Sequence, residues 1–547
     1  MQVRKAAAVE SMSRVCVSIL VHDAAKARRD IAEAVEAGAE MIELRVDPLA
    51  TAGGHDSAQT VEGLIRACGV PCIVTCRASS EGGECGRPDT ERLALLRRAT
   101  AGRGEGDITT YVDVEFATVK ALPNRAHGLN PRRLILSAHD FTGRPARLYN
   151  LLEEMTDIPA VANKVAWTPR SIRDCQEAFE LLRVGTRPTV AICMGPHGAI
   201  TRILARKFGA FLTFAAVRED ARTAPGQPTI EELKRVYRWD AQNAQTRVYG
   251  VVGNPIAHSM SPAVHNAAFE AAGLNAVYVP LLVNEGYESF KAFMETFVVA
   301  PEGPLRLDGL SVTIPHKENA YRYLREAQEH GVAGRHIETD AGFVKAVNTI
   351  NVAHDATGRA CELFGRNTDY DAILDTITTA LEIRRVDLER LRAAVIGAGG
   401  VGRTAVAALA AMGARVVVFN RSPERAEALV EEFGGRHGHV VARPLDTLHG
   451  AECDVYVNAT SLGMSPNVND SPFAGGIPKL GSDTLVFDTV YNPATTRLLS
   501  EATAAGARTV GGLEMFLRQA AAQFEGWTGR PPAMDVMRRA LATRLRA

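Results

Sequence analysis

The sequence has few aromatic residues and almost no net charge. Phe, Trp and Tyr make up 6% of the 547 residues, and 62 basic against 63 acidic side chains leave a formal charge of −1. No basic block interleaves with aromatic residues, so nothing favours nucleic acid or an anionic membrane as a partner. We therefore expect small-molecule substrates. The length predicts about three to four domains.

Long apolar runs and dense cysteine clusters are also missing. No apolar stretch reaches the roughly 18 residues of a membrane span, and the apolar run at 15–21 is too short for a signal peptide. The nine cysteines are scattered and odd in number, which predicts reduced thiols and a cytoplasmic location. The plastid stroma is the alternative if a transit peptide has been removed. Cys72, Cys76 and Cys85 lack a fourth ligand at zinc-finger spacing, so we expect core packing and no metal site.

The first half of the chain alternates short β-rich runs with helical patterns. Strand candidates begin near Arg14, Ala39, Pro71, Asp107, Arg133, Ala160, Pro188 and Ala210. Between them, apolar residues recur at three- and four-residue spacing, as over 24–37, 89–100 and 171–183. Eight β/α units are the count of a TIM barrel. An open doubly wound sheet is the alternative, but this half lacks a glycine-rich phosphate loop, which favours the (β/α)8 barrel.

Polar residues stand where the predicted strands end, which is where a barrel of this kind carries its chemistry. They are Glu43, Arg45, Asp47, Arg77, Glu81, Asp113, Glu115, His139 and Lys164. Lys164 lies in an apolar strand, where a charged lysine is costly to bury, and a neutral amine is a nucleophile towards ketones. The alternative is a structural ion pair with Asp113 or Glu115. His139 is either a general base beside this lysine or a structural histidine.

The same strand ends carry motifs in a recognisable order. These are ELRVD at 43–47, TCR at 75–77, EGG at 81–83, SAHD at 137–140, Lys164, MG at 194–195, TR at 201–202 and APGQ at 224–227. Over about residues 14–240 they resemble the type I 3-dehydroquinate dehydratases. The resemblance implies that Lys164 forms a Schiff base with the substrate ketone. It also implies that His139 is the acid/base and that Glu81 orients it.

The resemblance further implies a set of substrate-binding residues. Arg202 would hold the substrate carboxylate as a bidentate fork. Thr223 stands where the family usually has serine, so a hydroxyl is kept. The residues implied at the ring hydroxyls are Glu43, Arg45, Arg77 and Gln227.

The second half begins after a predicted linker at 240–246 with a strand over 248–252. Further on, an apolar strand at 393–396 leads into a G-x-G-x-x-G loop and then into an alanine-rich helical stretch. Strand, glycine loop and helix together predict a dinucleotide site, with the pyrophosphate at the helix N-terminus. The glycines of this loop are Gly397, Gly399, Gly400 and Gly402.

Basic residues follow the next predicted strand, at 414–419. It ends in Asn420, Arg421 and Ser422, and Arg425 lies in the following helix. An NAD site would place a carboxylate near this point, whereas arginine suits the 2′-phosphate of NADP. We therefore predict NADP as the cofactor; the alternative is a solvated arginine at the start of a helix.

Several loops of the second half carry hydroxyls, amides and one Lys/Asp pair. Ser259 and Ser261 precede an apolar helix and by themselves indicate only a helix cap. Lys317 and Asp369, brought together across loops, would form either an acid/base couple or a surface salt bridge. The motifs concerned are GNPIAHSMSP at 253–262, LSVTIPHKE at 310–318, AVNTI at 346–350, GRNTD at 365–369, NATSLGM at 458–464, YNP at 491–493 and GGLEM at 511–515.

Together these motifs resemble shikimate dehydrogenase over about residues 247–541. The resemblance implies that Lys317 and Asp369 are the catalytic pair. Ser259 and Ser261 would hold the substrate carboxylate. The implied ring-binding residues are Thr313, Asn348, Tyr491 and Gln519, and further cofactor-binding residues are Asn458, Thr460 and Gly512.

The resemblance also implies a domain order. The barrel would cover 14–240, a substrate domain would cover 247–365 and be completed by 515–547, and a Rossmann-like NADP domain would cover 366–514. Two departures from the family affect the backbone near the cleft. Lys345 stands where glycine commonly precedes AVNT, and Ala372 stands where glycine often follows the aspartate.

The two implied reactions are consecutive. Dehydration of 3-dehydroquinate gives 3-dehydroshikimate, which the second half would reduce to shikimate with NADPH, as in the bifunctional enzymes of plants and some bacteria. One alternative is that the second half acts mainly on quinate. Another is a ligand sensor without catalysis, which would predict losses among Lys164, His139, Lys317 and Asp369, yet all four are present.

Overall fold

The computed structural model describes residues 13–52, 57–101, 108–299, 303–435 and 439–546. The chain divides into two compact units. The first extends to Val248 and also takes in Asn275–Val283 and a short segment that ends at Arg306. The second contains most of the remaining chain. No helix within the described ranges is long and apolar enough to cross a membrane.

The first unit is an eight-stranded parallel sheet that curls into a barrel. Its strands are β1 (Arg14–Leu20), β2 (Met41–Arg45), β3 (Cys72–Thr75), β4 (Thr110–Glu115), β5 (Leu134–Asp140), β6 (Ala162–Trp167), β7 (Thr189–Cys193) and β8 (Leu212–Ala215). They lie in the order β7-β6-β5-β4-β3-β2-β1-β8. At the seam between the two outer strands, the Phe211 N–H donates to the Thr189 carbonyl at 2.9 Å. The predicted barrel is therefore confirmed.

Helices connect the strands of this unit. They are α1 (Ala24–Glu36), α2 (Asp47–Ala52), α3 (Ser57–Ala67), α4 (Asp89–Thr100), α5 (Phe116–Ala121), α6 (Leu148–Thr156), α7 (Cys175–Val184) and α8 (Ala199–Ile203). Helix α1 shows why the chain is helical there. The Asp23 carboxylate caps it by accepting from Lys26 N, and Ala27, Ile31 and Ala34, spaced at four and three residues, are its buried face.

Alternate residues of the strands fill the barrel interior. One buried cluster contains Cys16, Met41, Ile73, Ile135, Ala162, Ala166, Val190, Ile192, Leu212 and Phe214. Because side chains alternate along a strand, residues two positions further on point to the same interior. This periodicity carries the polar residues at the strand ends into the barrel mouth.

Within the described ranges, the second half adds twelve strands. They are β9 (Arg247–Gly253), β10 (Ala276–Leu282), β11 (Gly309–Val312), β12 (Arg335–Ile337), β13 (Thr349–His354), β14 (Ala360–Arg366), β15 (Arg392–Ile396), β16 (Arg415–Asn420), β17 (Val440–Pro444), β18 (Val455–Asn458), β19 (Leu485–Asp488) and β20 (Arg508–Val510). Strand β10 groups with the first unit. The helices are α9 (Ser261–Ala271), α10 (Tyr287–Met294), α11 (Lys317–Glu329), α12 (Thr339–Val344), α13 (Thr368–Leu381), α14 (Gly400–Ala411), α15 (Pro423–Phe433), α16 (Arg497–Ala504), α17 (Gly512–Thr528) and α18 (Met534–Arg546).

Two sheets make up the second unit. In the first, strands run in the order β9-β11-β13-β14-β12, with β13 antiparallel to both of its neighbours. The second sheet is parallel, in the Rossmann-like order β17-β16-β15-β18-β19-β20. Helix α13 leads from the first sheet to the second. Helix α17 packs back on the first sheet, where Trp527 Nε1 donates to the Ile350 carbonyl at 3.3 Å.

Candidate active sites

Lys164 lies on the inner face of β6 between two carboxylates. Its Nζ is 3.0 Å from Asp113 Oδ2 and 3.7 Å from Glu43 Oε1. The same nitrogen lies 4.7 Å from the centre of the Phe214 ring. The ion pair with Asp113 that the sequence left as an alternative is therefore present, and it lies at the strand end where a nucleophilic lysine is expected.

The neighbouring cations keep these two carboxylates ionised. Burial by itself would raise the pKa of Asp113, but Arg77 and Lys164 outweigh it and hold that pKa well below its usual range. For Glu43, burial again acts to raise the pKa, and Lys164 with Arg45 lowers it below the ordinary value. Both side chains thus present negative charge to the lysine nitrogen at neutral pH.

Arg77 donates hydrogen bonds to two carboxylates, one of which pairs with Lys164. Its guanidinium donates to Asp113 Oδ1 at 2.7 Å, to Glu115 Oε1 at 3.1 Å and to Ser137 Oγ at 2.7 Å. Burial would lower the pKa of Arg77, but Asp113 and Glu115 raise it, so the side chain stays charged. Most of its donors are engaged within the protein, and its main contact with the site is through Asp113.

His139 and Glu81 form a second pair at the mouth. His139 Nδ1 lies 2.9 Å from Glu81 Oε2, and the backbone N–H of His139 donates to the same oxygen at 3.0 Å. Burial raises the pKa of Glu81 to about 7. Burial, reinforced by the charges of Arg77 and Lys164, lowers the pKa of His139 well below its ordinary value. The imidazole is therefore neutral at physiological pH, as a base must be.

Arg202 is a buried arginine without a carboxylate partner among the described residues. It donates from Nη1 to the Cys193 carbonyl at 3.1 Å, and its buried Nε has no hydrogen-bond partner in the described part of the chain. Burial lowers its pKa to about 10. A buried cation with unused donors is costly unless an anion completes it, so this geometry fits a ligand carboxylate.

The remaining predicted barrel residues lie near the mouth and differ in how far protein partners occupy their polar groups. Arg45 is engaged by Asp47 in two hydrogen bonds of 2.8 Å. The Gln227 side-chain oxygen accepts from the Thr223 N–H at 3.0 Å and from its hydroxyl at 3.1 Å. These contacts order the loop after β8, which leaves the Gln227 amide nitrogen for a ligand.

In the second unit, Lys317 and Asp369 meet as predicted. Lys317 begins α11 directly after the loop that follows β11, and Asp369 lies in the first turn of α13. Nζ and Oδ2 are 2.5 Å apart, and both side chains are largely buried. Asn367 caps α13 by accepting from Asp369 N at 3.2 Å, which holds the carboxylate at the positive end of the helix.

Neutral amides and hydroxyls surround this pair. Asn348 accepts from the Thr368 N–H at 2.9 Å and donates to the Thr368 hydroxyl at 3.1 Å. It also donates to Gln519 Oε1 at 3.4 Å. Gln523, one turn further along α17, donates to the same oxygen of Gln519 at 3.4 Å and accepts from Ser311 at 2.8 Å. The structure thus joins two predicted residues, Asn348 just before β13 and Gln519 of α17, in one network.

Other predicted substrate residues lie in loops and at the ends of other elements of the second unit. Ser259 and Ser261 are at the start of α9, where Ser261 N donates to Ser259 Oγ at 3.3 Å. Thr313 follows β11, and its Cγ2 is so close to Gly253 that a Cβ there would lie 2.5 Å away. The ring of Tyr491 lies 5.1 Å from that of Phe516. These contacts fix the residues in place without joining them to the Lys/Asp pair.

Lys345 shows how the chain accommodates a departure from the family. It has φ 56° and ψ 35° at the end of α12, a left-handed conformation that favours glycine. Its Nζ lies 2.7 Å from Glu432 Oε1. The backbone therefore keeps the glycine-like turn, with the ion pair stabilising the lysine there.

The glycine loop after β15 has the shape that a dinucleotide needs. Gly397 has φ +105°, and a Cβ on Gly402 would lie 2.0 Å from the Gly397 carbonyl oxygen. A Cβ on Gly399 or Gly400 would meet no atom within 4 Å. Gly397 and Gly402 thus require glycine for the turn and its packing. Gly399 and Gly400 border open space in front of the α14 N-terminus, where a pyrophosphate fits.

Arg421 and Arg425 lie exposed at the end of β16 and the start of α15. Neither has an ion pair within the residues that the structure describes, which fits a site for a phosphate. Asn420 accepts from the Ala398 N–H at 3.2 Å and donates to the Ser422 carbonyl at 2.8 Å. The asparagine thus links the glycine loop to the two arginines.

The late motifs have structural partners as well. Asn458 is fully buried and donates to Asp488 at 2.9 Å, while its oxygen accepts from the Thr460 hydroxyl at 2.6 Å. A Cβ on Gly512 would lie 2.3 Å from the Thr489 carbonyl oxygen. Close packing therefore explains Gly512, and Asn458 orders the loop that carries Thr460.

Sequence reasoning missed several residues that build these sites. Ser137 lies two positions before His139 on β5, so strand alternation places it on the same face and was a usable signal. Gln523 follows Gln519 by one helical turn, which is also a readable spacing. Arg92 of α4 gave no such signal, because nothing local distinguishes it from the neighbouring Arg97 and Arg98.

Within the described ranges, no group of three or more His, Cys, Asp or Glu side chains is arranged to hold a metal ion. All nine cysteines are thiols, and eight of them are buried. Cys72, Cys76 and Cys85 are among the buried ones.

Four family models match successive parts of the chain. Type I 3-dehydroquinase matches residues 15–244. The shikimate dehydrogenase substrate binding domain matches 251–350, shikimate / quinate 5-dehydrogenase matches 379–488, and the shikimate 5′-dehydrogenase C-terminal domain matches 512–542.

One named relative spans both halves, and others match the dehydrogenase half. A chloroplastic bifunctional 3-dehydroquinate dehydratase/shikimate dehydrogenase of Arabidopsis thaliana is 34% identical over 541 residues, which is 96% of this chain and 84% of that protein. An NADP(+) shikimate dehydrogenase of Methanopyrus kandleri is 37% identical and covers 56% of this chain and 98% of its own. A solved shikimate 5-dehydrogenase of Thermus thermophilus, in complex with NADP(H) and shikimate, has a TM-score of 0.43 at 33% identity and covers 55% of this chain and 99% of its own.

Proposed function

The chain belongs to the family of bifunctional 3-dehydroquinate dehydratase/shikimate dehydrogenases, and from this premise we propose which residues carry its two reactions. The barrel dehydrates 3-dehydroquinate to 3-dehydroshikimate through an imine on Lys164. The second half reduces 3-dehydroshikimate to shikimate with NADPH, with Lys317 and Asp369 as the catalytic pair. The observation that carries the proposal is the position of Lys164 between two carboxylates, in one unit with the Glu81–His139 pair.

The dehydratase step uses Lys164 as an electron sink. The lysine gives up one proton and its neutral amine adds to the substrate ketone. That proton returns to the former ketone oxygen, which leaves as water, so a positively charged iminium nitrogen remains. Asp113 and Glu43 stabilise that charge, because they already stabilise the ammonium at the same place. The iminium withdraws electrons from the neighbouring carbon, so the proton on that carbon becomes acidic.

His139 takes that proton. With Glu81 ionised, Nδ1–H donates to the carboxylate and Nε2 keeps a lone pair for the substrate. The electron pair left on carbon then expels the hydroxyl group as water, with the proton on the imidazolium available to the leaving oxygen. Hydrolysis of the imine returns the product and the lysine amine. Arg202 would hold the substrate carboxylate throughout.

The dehydrogenase step needs one proton at the substrate oxygen. Bound NADPH supplies a hydride to the carbonyl carbon. Lys317 would donate its proton to the oxygen that gains negative charge, while Asp369 keeps the ammonium oriented at 2.5 Å. Asn348 and Gln519 would bind ring hydroxyls, and Ser259 with Ser261 would bind the carboxylate. Thr313 and Tyr491 complete the proposed set.

The proposed cofactor contacts lie at the ends of the strands of the parallel sheet that contains β15 and β16. NADP(+) is named for the Methanopyrus kandleri relative and NADP(H) for the Thermus thermophilus structure, and the residues of this chain fit NADP. The open space before Gly399 and Gly400 would take the pyrophosphate, and Arg421 with Arg425 would bind the 2′-phosphate. Asn420, Ser422 and Thr460 would border the nucleotide. We also propose the domain boundaries that the sequence predicts, at 14–240, 247–365 with 515–547, and 366–514.

Two experiments on the purified chain test the proposal. Incubation with 3-dehydroquinate and NADPH should yield shikimate. Borohydride added with 3-dehydroquinate should attach a covalent mass to Lys164, because it reduces the imine. Lys164→Ala should abolish the adduct, whereas Lys120→Ala, which removes an exposed lysine paired with Glu154 at 2.7 Å, should not. An adduct on another residue would contradict the assigned role.

Quinate is the second candidate substrate for the dehydrogenase half, because the matched family model covers both shikimate and quinate dehydrogenases. The relatives named for shikimate favour shikimate. Comparing kcat/KM for the two alcohols in the oxidative direction decides between them. A sensor without catalysis would show binding but no turnover in either assay.

For the compartment, the thiol state of the cysteines supports a reducing environment. We propose the cytoplasm, or the plastid stroma in a plastid-bearing source. Fractionation of the cells that express the chain would test this.

A further inference from the structure

Arg92 is a buried arginine that lies outside the barrel interior, on helix α4. Only 3% of it is exposed, although it lies in a helix that otherwise carries exposed arginines. Its Nη2 donates to Glu115 Oε2 at 2.8 Å and its Nη1 donates to Glu115 Oε1 at 3.2 Å. This is a bidentate contact between a helix and the end of strand β4, which fixes both distance and orientation.

Glu115 is shared between this helix and the active site. Besides Arg92, its Oε1 accepts from Arg77 Nη1 at 3.1 Å and from the Ala78 N–H at 3.0 Å. Burial acts to raise the pKa of Glu115, but Arg77 and Arg92 hold it below the ordinary value. One carboxylate thus orients Arg77, which follows β3, and the start of the segment that carries Glu81.

Charges alternate from this helix to the catalytic lysine. Arg92 contacts Glu115, which contacts Arg77; Arg77 donates to Asp113 at 2.7 Å, and Asp113 lies 3.0 Å from Lys164. Every member is nine-tenths or more buried. Without Arg92, Glu115 would keep Arg77 as its main partner, and the guanidinium would be drawn away from Asp113.

We propose that Arg92 is a positioning residue of the dehydratase, which rests on the imine mechanism proposed above. It fixes Glu115, and through Glu115 it holds the Arg77 guanidinium against the carboxylate that pairs with Lys164. Its other contacts, with Asp89, Thr118 and the Cys76 carbonyl, also tie α4 to the barrel. The test must therefore separate an effect on catalysis from an effect on folding.

Arg92→Gln and Arg92→Lys are compared with Arg87→Gln, which removes an exposed arginine just before α4 that pairs with Glu91 at 3.3 Å. For Arg92→Gln we expect kcat of the dehydratase to fall about tenfold to a hundredfold, because misplacement of a catalytic group by about 1 Å has that cost. KM should stay within about threefold, since Arg92 does not touch substrate. The rate of borohydride trapping at Lys164 should fall with kcat.

Arg92→Lys should recover only part of kcat, because an ammonium restores the charge but not the two parallel hydrogen bonds. Arg87→Gln should match the wild type. In every variant the fluorescence of Trp167 and Trp239, both buried in the first unit, and the melting temperature report on folding of the barrel. Glu115→Gln keeps the shape of the acceptor but removes its charge, and it should reproduce the Arg92→Gln pattern even if that variant fails to fold.

Three results would overturn the inference. They are an unchanged kcat in folded Arg92→Gln or Glu115→Gln, a rise confined to KM, and full activity in Arg92→Lys. Failure of the imine mechanism looks different, because the wild type itself would then give no adduct on Lys164.

Discussion

The two proposed active sites of this chain consist of different kinds of residue. The barrel site is a set of buried charges, in which Lys164, Asp113 and Arg77 are each held by at least one opposite charge. The dehydrogenase site has one ion pair, Lys317 with Asp369, and its other described contacts are amides and hydroxyls such as Asn348 and Thr368. Both sites lie at the ends of strands, so their location does not explain the difference.

The proposed chemistry does explain it. An imine mechanism creates a lasting positive charge on a lysine nitrogen, and carboxylates fixed around that nitrogen stabilise it without reorganisation. A carbonyl reduction creates a short-lived negative charge on oxygen, for which one proton donor suffices. Further carboxylates beside that oxygen would oppose the reaction, so neutral groups are the suitable surroundings.

The largest expected effect separates the two sites completely. Lys164→Ala should lower dehydratase activity by about 10^4-fold or more and leave the dehydrogenase unchanged, and Lys317→Ala should do the converse. Each activity is measured with its own substrate. An equimolar mixture of the two variants should again convert 3-dehydroquinate to shikimate, because the intermediate diffuses between molecules. An inactive mixture would mean that the intermediate is handed over within one chain.

A second expectation concerns stability. Asp113→Asn removes the shared partner of Lys164 and Arg77, both buried, and should destabilise the first unit by about 3–5 kcal/mol. Asp369→Asn should cost less, because it leaves only one largely buried cation, Lys317, without a charged partner. The loss in Asp113→Asn is measured by urea unfolding, followed by the fluorescence of Trp167 and Trp239, both buried in the first unit. Equal losses in the two variants would remove the distinction between the sites.

A third effect lies at the cofactor. Arg421→Gln should raise the apparent Kd for NADPH about tenfold or more, because a charge-assisted bond to phosphate is lost. Binding of NADH should barely change. Arg415→Gln, at the other end of the same strand, is the matched control. An equal loss for both nucleotides would assign Arg421 to the fold instead of the phosphate.

The smallest effect is the pH dependence of the barrel site. Because burial raises the pKa of Glu81 to about 7, about half of the molecules carry that proton at pH 7. A protonated Glu81 donates to His139 Nδ1 and leaves the proton on Nε2, so dehydratase activity should rise with pH through this pKa. In Glu81→Gln the titration is removed, and the acid limb of the normalised kcat profile should move to lower pH. The dehydrogenase profile serves as the control, and an unmoved limb would assign the titration to another group.

Much of the fold was readable from the sequence because its signals are local. The eight strands of the barrel begin within a few residues of their predicted starts, and α1, α4, α14 and α15 lie where apolar spacing and glycine place them. Catalytic candidates at strand ends followed from the same logic. The contacts between separate segments did not follow, since Arg92 of α4 reaches Glu115 of β4, and Gln523 of α17 reaches Ser311 of β11.

By itself, the sequence determined the order of elements, the strand ends that carry Lys164 and His139, the glycine loop and the Lys317 and Asp369 motifs. These depend on periodicity and on residue types within a few positions of each other. Only the tertiary structure decided the charge state and orientation of those groups. It showed that Lys164, the candidate nucleophile, is paired with a buried carboxylate, that burial raises the pKa of Glu81, and that Arg77 donates to Asp113. Such properties depend on burial and on neighbours brought together from distant segments, and a linear pattern contains no distance between them.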